Sequence, residues 1–141
     1  MIAGHPMARV VDEPLSVAEH EDAVADQAAG AVVSFAGVVR DHDGGRSVRE
    51  LEYVGHPTAA QVLTELAEEF AAREGVHAVA VSHRIGLLGI GDIALACAVS
   101  SAHRGEAFTA CAELVDEVKK RLPIWKRQVF TDGEEEWVAC P

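Results

Sequence analysis

The stretch KKRLPIWKRQ, residues 119–128, takes the chain from a helix into a strand. Pro123 disfavours helical geometry in the residue before it, so the helix is expected to end there. Trp125 to Phe130 is predicted to be the strand that follows, and Asp132-Gly133 is typical of a tight turn. Glu135 to Val138 then completes a hairpin. The C-terminal part of the chain is therefore predicted to be a helix followed by two antiparallel strands.

The same stretch is unusual in its cations. It holds all three lysines of the chain and five of its twelve basic residues, and elsewhere arginine carries the positive charge. Only a lysine amine can lose its proton near neutral pH and act as a nucleophile or base, and neighbouring cations lower its pKa. The alternative is a helix C-terminus whose cations complement the helix dipole. Composition alone leaves both interpretations open.

Two segments in the N-terminal half carry clear secondary-structure signals. Ser16 and Glu19 form a capping box, which opens a helix that is expected to run to about Ala28. Residues 31–39 (AVVSFAGVV) are apolar and rich in β-branched side chains, as in a buried strand. Gly37 within them indicates a bulge or a close backbone approach.

The central segments continue this alternation of strands and helices. Val48 to Val54 is predicted to be the return strand of a hairpin, and Pro57 fits the first turn of a long helix that ends before Gly75. Val76 to Arg84 and Asp92 to Ser101 are predicted strands. The apolar face predicted for the last helix consists of Phe108, Cys111, Val115, Val118 and Leu122. Hairpins beside helices indicate an α+β fold with a largely antiparallel or mixed sheet.

Composition excludes several classes of protein. A chain of 141 residues with a formal charge of −11 is expected to form one domain, residues 1–141, that binds neither nucleic acid nor membranes. Cys97, Cys111 and Cys140 show no metal-binding spacing, and the first two are expected in the core and the third at the surface. Residues 1–7 do not resemble a signal peptide, and no apolar run is long enough to span a membrane. We therefore expect a reduced, cytoplasmic protein.

Two motifs that could suggest a ligand site are better explained as connecting segments of the fold. GLLGIG, residues 86–91, has the wrong glycine order for dinucleotide binding and leads into a strand rather than a helix. Asp41, His42 and Asp43 lie in a glycine-rich segment and are interpreted as turn residues rather than metal ligands.

The stronger candidates are cationic. Arg40 ends the first buried strand, and His103-Arg104 begins the helix that carries Lys119. Guanidinium groups together with the free amides of a helix N-terminus can bind phosphate or carboxylate. Fifteen residues of helix, about 22 Å, separate Arg104 from Lys119, so a large ligand or a second subunit is needed to join them.

Several motifs together resemble one family. FAGVVR (35–40), HRIG (83–86), SAHR (101–104) and the PIWKR segment (123–127) after Lys119 occur in the order and spacing of the large, catalytic subunit of molybdopterin synthase. The resemblance extends from about Gly30 to Val138.

The resemblance implies an α/β-hammerhead fold with an added antiparallel β subdomain. It also implies a homodimer at the centre of a heterotetramer, in which each end binds a small ubiquitin-like sulfur-carrier subunit. The C-terminal Gly-Gly thiocarboxylate of that carrier would supply sulfur to cyclic pyranopterin monophosphate, forming the dithiolene of molybdopterin. The implied sulfurtransferase needs no metal and no organic cofactor.

The resemblance also assigns residues. Lys119 and Lys126 correspond to the essential, catalytic lysines of the family. The substrate pocket is implied to be formed by these lysines together with Val38, Val39, Arg40, His103, Arg104, Arg127 and Gln128. Residues of the second subunit are implied to complete the pocket.

The sequence departs from the family pattern at three places. Gln128 replaces a common glutamate, Val38 replaces a lysine found in some members, and Val54-Gly55-His56 replaces a segment containing glutamate. The alternative is therefore a non-catalytic paralogue that only binds the carrier or an anion. A lysine Schiff-base enzyme acting on a phosphorylated carbonyl compound is a third hypothesis.

Overall fold

A computed structural model describes residues 5–140. Its helices and strands are, in chain order, β1 (His5–Val11), α1 (Val17–Val24), β2 (Ala31–Val38), β3 (His42–Asp43), β4 (Arg46–Gly55), α2 (Ala59–Ala71), β5 (Val76–Arg84), β6 (Gly86–Gly89), β7 (Ile93–Ser101), α3 (Arg104–Arg121), β8 (Ile124–Phe130) and β9 (Glu135–Cys140). This arrangement confirms the predicted α+β class.

The first sheet has the strand order β1-β5-β7-β2. β1 runs parallel to β5, whereas β5 and β2 are antiparallel to β7. α2 and α3 cover one face of this sheet, and α1 packs against the other. Because helices cover both faces, the two central strands β5 and β7 are almost entirely buried.

The core between the first sheet and its helices follows from helical periodicity. Leu63, Leu66, Ala67 and Phe70 lie on one face of α2 and are at most 3% exposed. They pack against Val79 and the other inward residues of β5 and β7.

The second sheet is antiparallel and contains β3, β4, β6, β8 and β9. β4 lies between β6 and β8, and β9 pairs with β8 as the predicted C-terminal hairpin. A small cluster of Val39, Leu51, Leu88 and Ala94 joins this sheet to the first one. None of the described helices is long and apolar enough to cross a membrane.

Local signals were interpreted correctly at several positions. The Ser16 side chain accepts a hydrogen bond from the backbone N–H of Glu19 and so caps α1, whereas the Glu19 side chain pairs with Arg9. Gly37 lies beside a register shift in the pairing of β2 with β7. Cys97 and Cys111 are buried thiols, as predicted, whereas the side chain of Cys140 lies outside those described.

Three predictions about individual elements were right only in part. α1 ends at Val24 rather than near Ala28. Val48 to Val54 does lie on the return strand of a hairpin, but the partner in that hairpin is the short strand β3 rather than residues 31–39, because β2 pairs with β7 while β4 belongs to the second sheet. Of the predicted apolar face of α3, Phe108 is 61% exposed, whereas Cys111, Val115, Val118 and Leu122 are buried as predicted. Ala107, Ala110 and Leu114 complete the buried face.

Candidate active site

A cavity of about 300 Å³ lies where the two sheets meet the last turn of α3. β2, β5 and β7 of the first sheet contribute one side, and β3, β4 and β8 of the second sheet contribute the other. Its apolar lining includes Phe35, Leu51, Tyr53, Leu95 and Val118, and its polar lining includes Arg40, His42, Asp43, His83, Lys119, Lys126 and Gln128. The volume is at the lower end of the range typical of small-molecule sites.

The end of α3 brings the two candidate lysines to this cavity. The backbone N–H of Leu122 donates to the carbonyl of Val118, and Leu122 itself has left helical geometry, with φ −73° and ψ 121°. β8 begins two residues later, so the chain turns back along the side of the cavity that Lys119 lines. Lys119 and Lys126 therefore line one cavity although they lie on different elements.

Strand alternation separates the residues of β8. Side chains of a strand point to opposite faces in turn, and Lys126 and Gln128 line the cavity. Arg127 lies on the other face, where it forms ion pairs with Glu52 and Glu135. The expected pocket residue Arg127 is therefore held on the outside of the second sheet.

A carboxylate lies among the cations at the cavity wall. Gln128 donates a hydrogen bond of 2.8 Å from Nε2 to Oδ2 of Asp43, and an Arg40 guanidinium nitrogen lies 3.6 Å from Oδ1. The hydrogen bond from Gln128 lowers the pKa of Asp43, and the charges of Lys126 and Arg40 lower it further. Asp43 thus places a negative charge near Lys126 and Arg40, although Gln128 stands where the family commonly has glutamate.

His83 forms another part of the wall. It is 7% exposed, and its Nδ1 lies 2.8 Å from the carbonyl oxygen of Arg84. Its ring makes an edge-on contact with Tyr53, with centroids 4.9 Å apart. Burial lowers the pKa of His83 to about 4, and the positive charge of Lys119 also lowers it. His83 is therefore neutral at physiological pH.

The remaining candidates of the sequence divide into two groups. Val38 and Val39 line the cavity together with Arg40, Val38 being half exposed and Val39 buried. His103 and Arg104 are exposed at the first turn of α3 and do not line it. They lie about 22 Å along the helix from Lys119, so one chain does not bring them to this cavity.

A buried serine–histidine pair elsewhere does not form a second site. His20 is hydrogen-bonded through Nδ1 to the carbonyl of Ser16 and through Nε2 to the hydroxyl of Ser82, at 2.6 and 2.7 Å. His20 and Ser82 are at most 1% exposed, so no substrate can reach them. The pair fastens α1 to the first sheet.

Sequence reasoning missed His42, Asp43, Tyr53 and His83 as cavity residues. His42 and Asp43 were interpreted as part of a polar turn, but they form the short strand β3. His83 was recognised only as part of a motif. A count of the apolar residues around each polar residue of β4 and β5 could have indicated which polar side chains are buried. It would not have indicated that they line a cavity.

The fold and the site together define a class: an α+β protein with a cationic cavity between two sheets, in which two lysines approach the same ligand space. A family model described as MoaE protein matches residues 10–121. The chain belongs to this family.

Comparison with individual proteins agrees. A molybdopterin synthase catalytic subunit of Arabidopsis thaliana is 37% identical over 121 residues, covering 85% of this chain but 61% of the relative. The chain thus spans less than two thirds of that relative's length. A solved structure of molybdopterin synthase from Staphylococcus aureus has a TM-score of 0.84 and 34% identity, covering 92% of this chain and 95% of that chain.

A more distant structure supports the fold alone. It is a chain from the complex of subunits 1 and 2 of the molybdopterin-converting factor of Helicobacter pylori 26695. The TM-score is 0.73 at 18% identity, and the alignment covers 94% of this chain and 88% of that chain.

Proposed function

We propose that the chain is the catalytic subunit of a molybdopterin synthase, a sulfurtransferase of molybdenum cofactor biosynthesis. It would transfer sulfur from the thiocarboxylated C-terminus of a small ubiquitin-like carrier subunit to cyclic pyranopterin monophosphate. The observation that carries the proposal is the meeting of Lys119 and Lys126 at one cavity in a member of the MoaE family.

The charge of the cavity suits this substrate. The whole chain is strongly acidic, yet Arg40, Lys119 and Lys126 gather at the cavity, where they can neutralise a cyclic phosphate and a thiocarboxylate. Asp43 holds Arg40 and Gln128 in place, and the aromatic rings of Phe35 and Tyr53 offer flat apolar surface for a pterin ring.

The two lysines would do the chemistry. An amine close to the thiocarboxylate can stabilise the negative charge that develops on its carbonyl oxygen, or it can transfer protons as sulfur leaves the carrier. In each transfer the carbon–sulfur bond of the carrier breaks, and on the pterin a carbon–oxygen bond is replaced by a carbon–sulfur bond, with the displaced oxygen leaving as water or staying on the phosphate. Water finally takes the place of sulfur on the carrier, which leaves as a carboxylate.

The partners follow from the same proposal. The family resemblance implies a small sulfur-carrier subunit as the partner of this chain. The Helicobacter pylori protein, which shares the fold, is described as part of a complex of two subunits. We place a homodimer at the centre of a heterotetramer, with His103 and Arg104 of one subunit completing the cavity of the other. This arrangement would bridge the separation along α3. The reduced thiols Cys97 and Cys111, 4.0 Å apart, are in keeping with a cytoplasmic location.

A test of the site compares adjacent lysines. Lys120 lies next to Lys119 but pairs with Glu117 outside the cavity. Lys119→Ala should reduce product formation by about a hundredfold or more, whereas Lys120→Ala should leave it within about threefold. Product is measured with thiocarboxylated carrier and the pterin precursor, and equal effects of the two changes would refute the assignment. Lys119→Arg keeps the positive charge but removes the amine. Retained activity in this variant would indicate a role for the charge, and lost activity would indicate a role for the amine.

Complementation tests the shared cavity. Lys119→Ala and Arg104→Ala chains are each expected to be nearly inactive, but a mixed dimer contains one cavity with both native residues. Random mixing should restore about a quarter of the native activity, because about half of the dimers are mixed and each has one intact cavity. No restoration would show that Arg104 does not act across the dimer.

The non-catalytic alternative is not favoured, because both lysines are present at the cavity. It predicts carrier binding without product, which the same assay detects.

A further inference from the structure

His83 is a residue of the cavity wall whose ring is held by a hydrogen bond and by an aromatic contact. It ends the buried part of β5, is 7% exposed and lines the cavity. The contact with the Tyr53 ring and the hydrogen bond to the Arg84 carbonyl fix the orientation of the His83 ring. A histidine held this way presents a fixed edge to any ligand.

The tautomer follows from the bond to Arg84. A carbonyl oxygen can only accept, so Nδ1 of His83, 2.8 Å away, must carry the hydrogen. In the neutral ring the other nitrogen, Nε2, then has a lone pair and no hydrogen. Because burial keeps the ring neutral, Nε2 is a hydrogen-bond acceptor at physiological pH.

The charged groups of the cavity have different capacities. Lys119, Lys126 and Arg40 can only donate, which suits phosphate and thiocarboxylate oxygens. The Asp43 carboxylate is already engaged by Gln128 and Arg40. A pterin ring, however, carries an amide N–H and an exocyclic amine on one edge, and these donors need acceptors when they are buried.

We propose that Nε2 of His83 accepts a hydrogen bond from the N–H edge of the pterin ring and so determines which ring the cavity accepts and how it is oriented. This inference rests on the proposed function and adds a specificity-determining residue to it. The donors at the cavity would hold the phosphate, and His83 would bind the opposite, nitrogen-rich edge.

A pair of amide variants separates this role from a structural one. The amide nitrogen of His83→Asn can replace Nδ1 and keep the bond to Arg84, but the variant has no acceptor at the position of Nε2. The amide oxygen of His83→Gln reaches the position of Nε2, but the variant loses the bond to Arg84. His83→Asn should therefore raise KM for the pterin by about tenfold or more with little change in kcat, and His83→Gln should stay within about threefold of the native KM.

The opposite ranking would overturn the inference, since it would show that the ring serves only the Arg84 carbonyl. A loss of kcat in both variants at unchanged KM would also overturn it, by assigning His83 to the positioning of Lys119. Carrier affinity is measured in parallel and should not change in either variant.

A measurement on the native protein covers the case in which a variant does not fold. Methylation of the ring amide nitrogen removes the donor from the ligand instead of the acceptor from the protein. The methylated pterin monophosphate should compete about tenfold more weakly than the parent compound for the native protein. Equal competition would overturn the inference while product formation by the native protein left the proposed function intact. Failure of the native protein to form product would overturn both.

Discussion

The neutral, buried state of His83 predicts how the stability of the protein changes with pH. The ordinary pKa of 6.5 applies to the unfolded chain, and burial lowers the pKa of folded His83 to about 4. Between these values the unfolded chain binds a proton that the folded protein does not, so unfolding becomes easier as the pH falls. The free energy of unfolding therefore keeps its full value above the unfolded pKa of 6.5, and it falls as the pH is lowered towards the folded pKa of about 4.

The size of the effect follows from the same two pKa values. At about 1.36 kcal/mol per pH unit their separation corresponds to about 3 kcal/mol in the limit of low pH. About 2 kcal/mol of this should be lost between about pH 7 and about pH 5. The exposure of only 7% means that little of the effect is screened by solvent.

The assay is urea unfolding of the native protein and of His83→Gln at a series of pH values, followed by the fluorescence of Trp125 and Trp137. All other titratable groups are common to both proteins, so the difference between the two pH profiles isolates His83. Protein concentration is held constant because association also affects stability. Profiles that remain parallel to within about 0.5 kcal/mol would show that His83 titrates alike in the folded and unfolded states.

Three further changes test the core, a turn and the site. Leu66→Ala should lower the free energy of unfolding by about 3 kcal/mol in urea, because Leu66 is fully buried between α2 and the first sheet. Gly75→Ala should lower the free energy of unfolding by about 1 kcal/mol or more, measured as a lower melting temperature, because φ is +86° at residue 75. The control Gly105→Ala should not lower it, because the added methyl group would lie in open space on α3. Lys126→Ala should abolish most product formation, whereas Arg127→Ala should retain it within about threefold; equal losses would contradict the assignment of opposite faces on β8.

Much of the local structure could be predicted because its causes are local. The N-cap at Ser16 needs only its side chain and the backbone three residues on, and Pro123 ends α3 through its own ring. Phe108 was misplaced because an apolar residue in a helix was assumed to be buried, although the small residues Ala107 and Ala110 face the sheet instead.

Strand pairing was predicted less well. β4 has the alternation of a hairpin strand, but its local partner is only the short β3, and the longer strand β2 before it lies in the other sheet. The partner of a strand depends on distant segments that offer matching side chains, and β4 pairs with β8, about seventy residues further along the chain.

The sequence by itself determined the inventory of this protein: the secondary-structure elements, an acidic chain whose lysines gather in one segment, and the motifs that resemble a single family. Only the tertiary structure decided which of these residues share a ligand space. Lys126 and Arg127 are adjacent cations, yet packing of β8 turns one into the cavity and the other to the outer face. His83 became part of the site because β5 brings it to the junction of the two sheets, where burial removes its charge. These properties depend on contacts between distant segments, and no local pattern contains them.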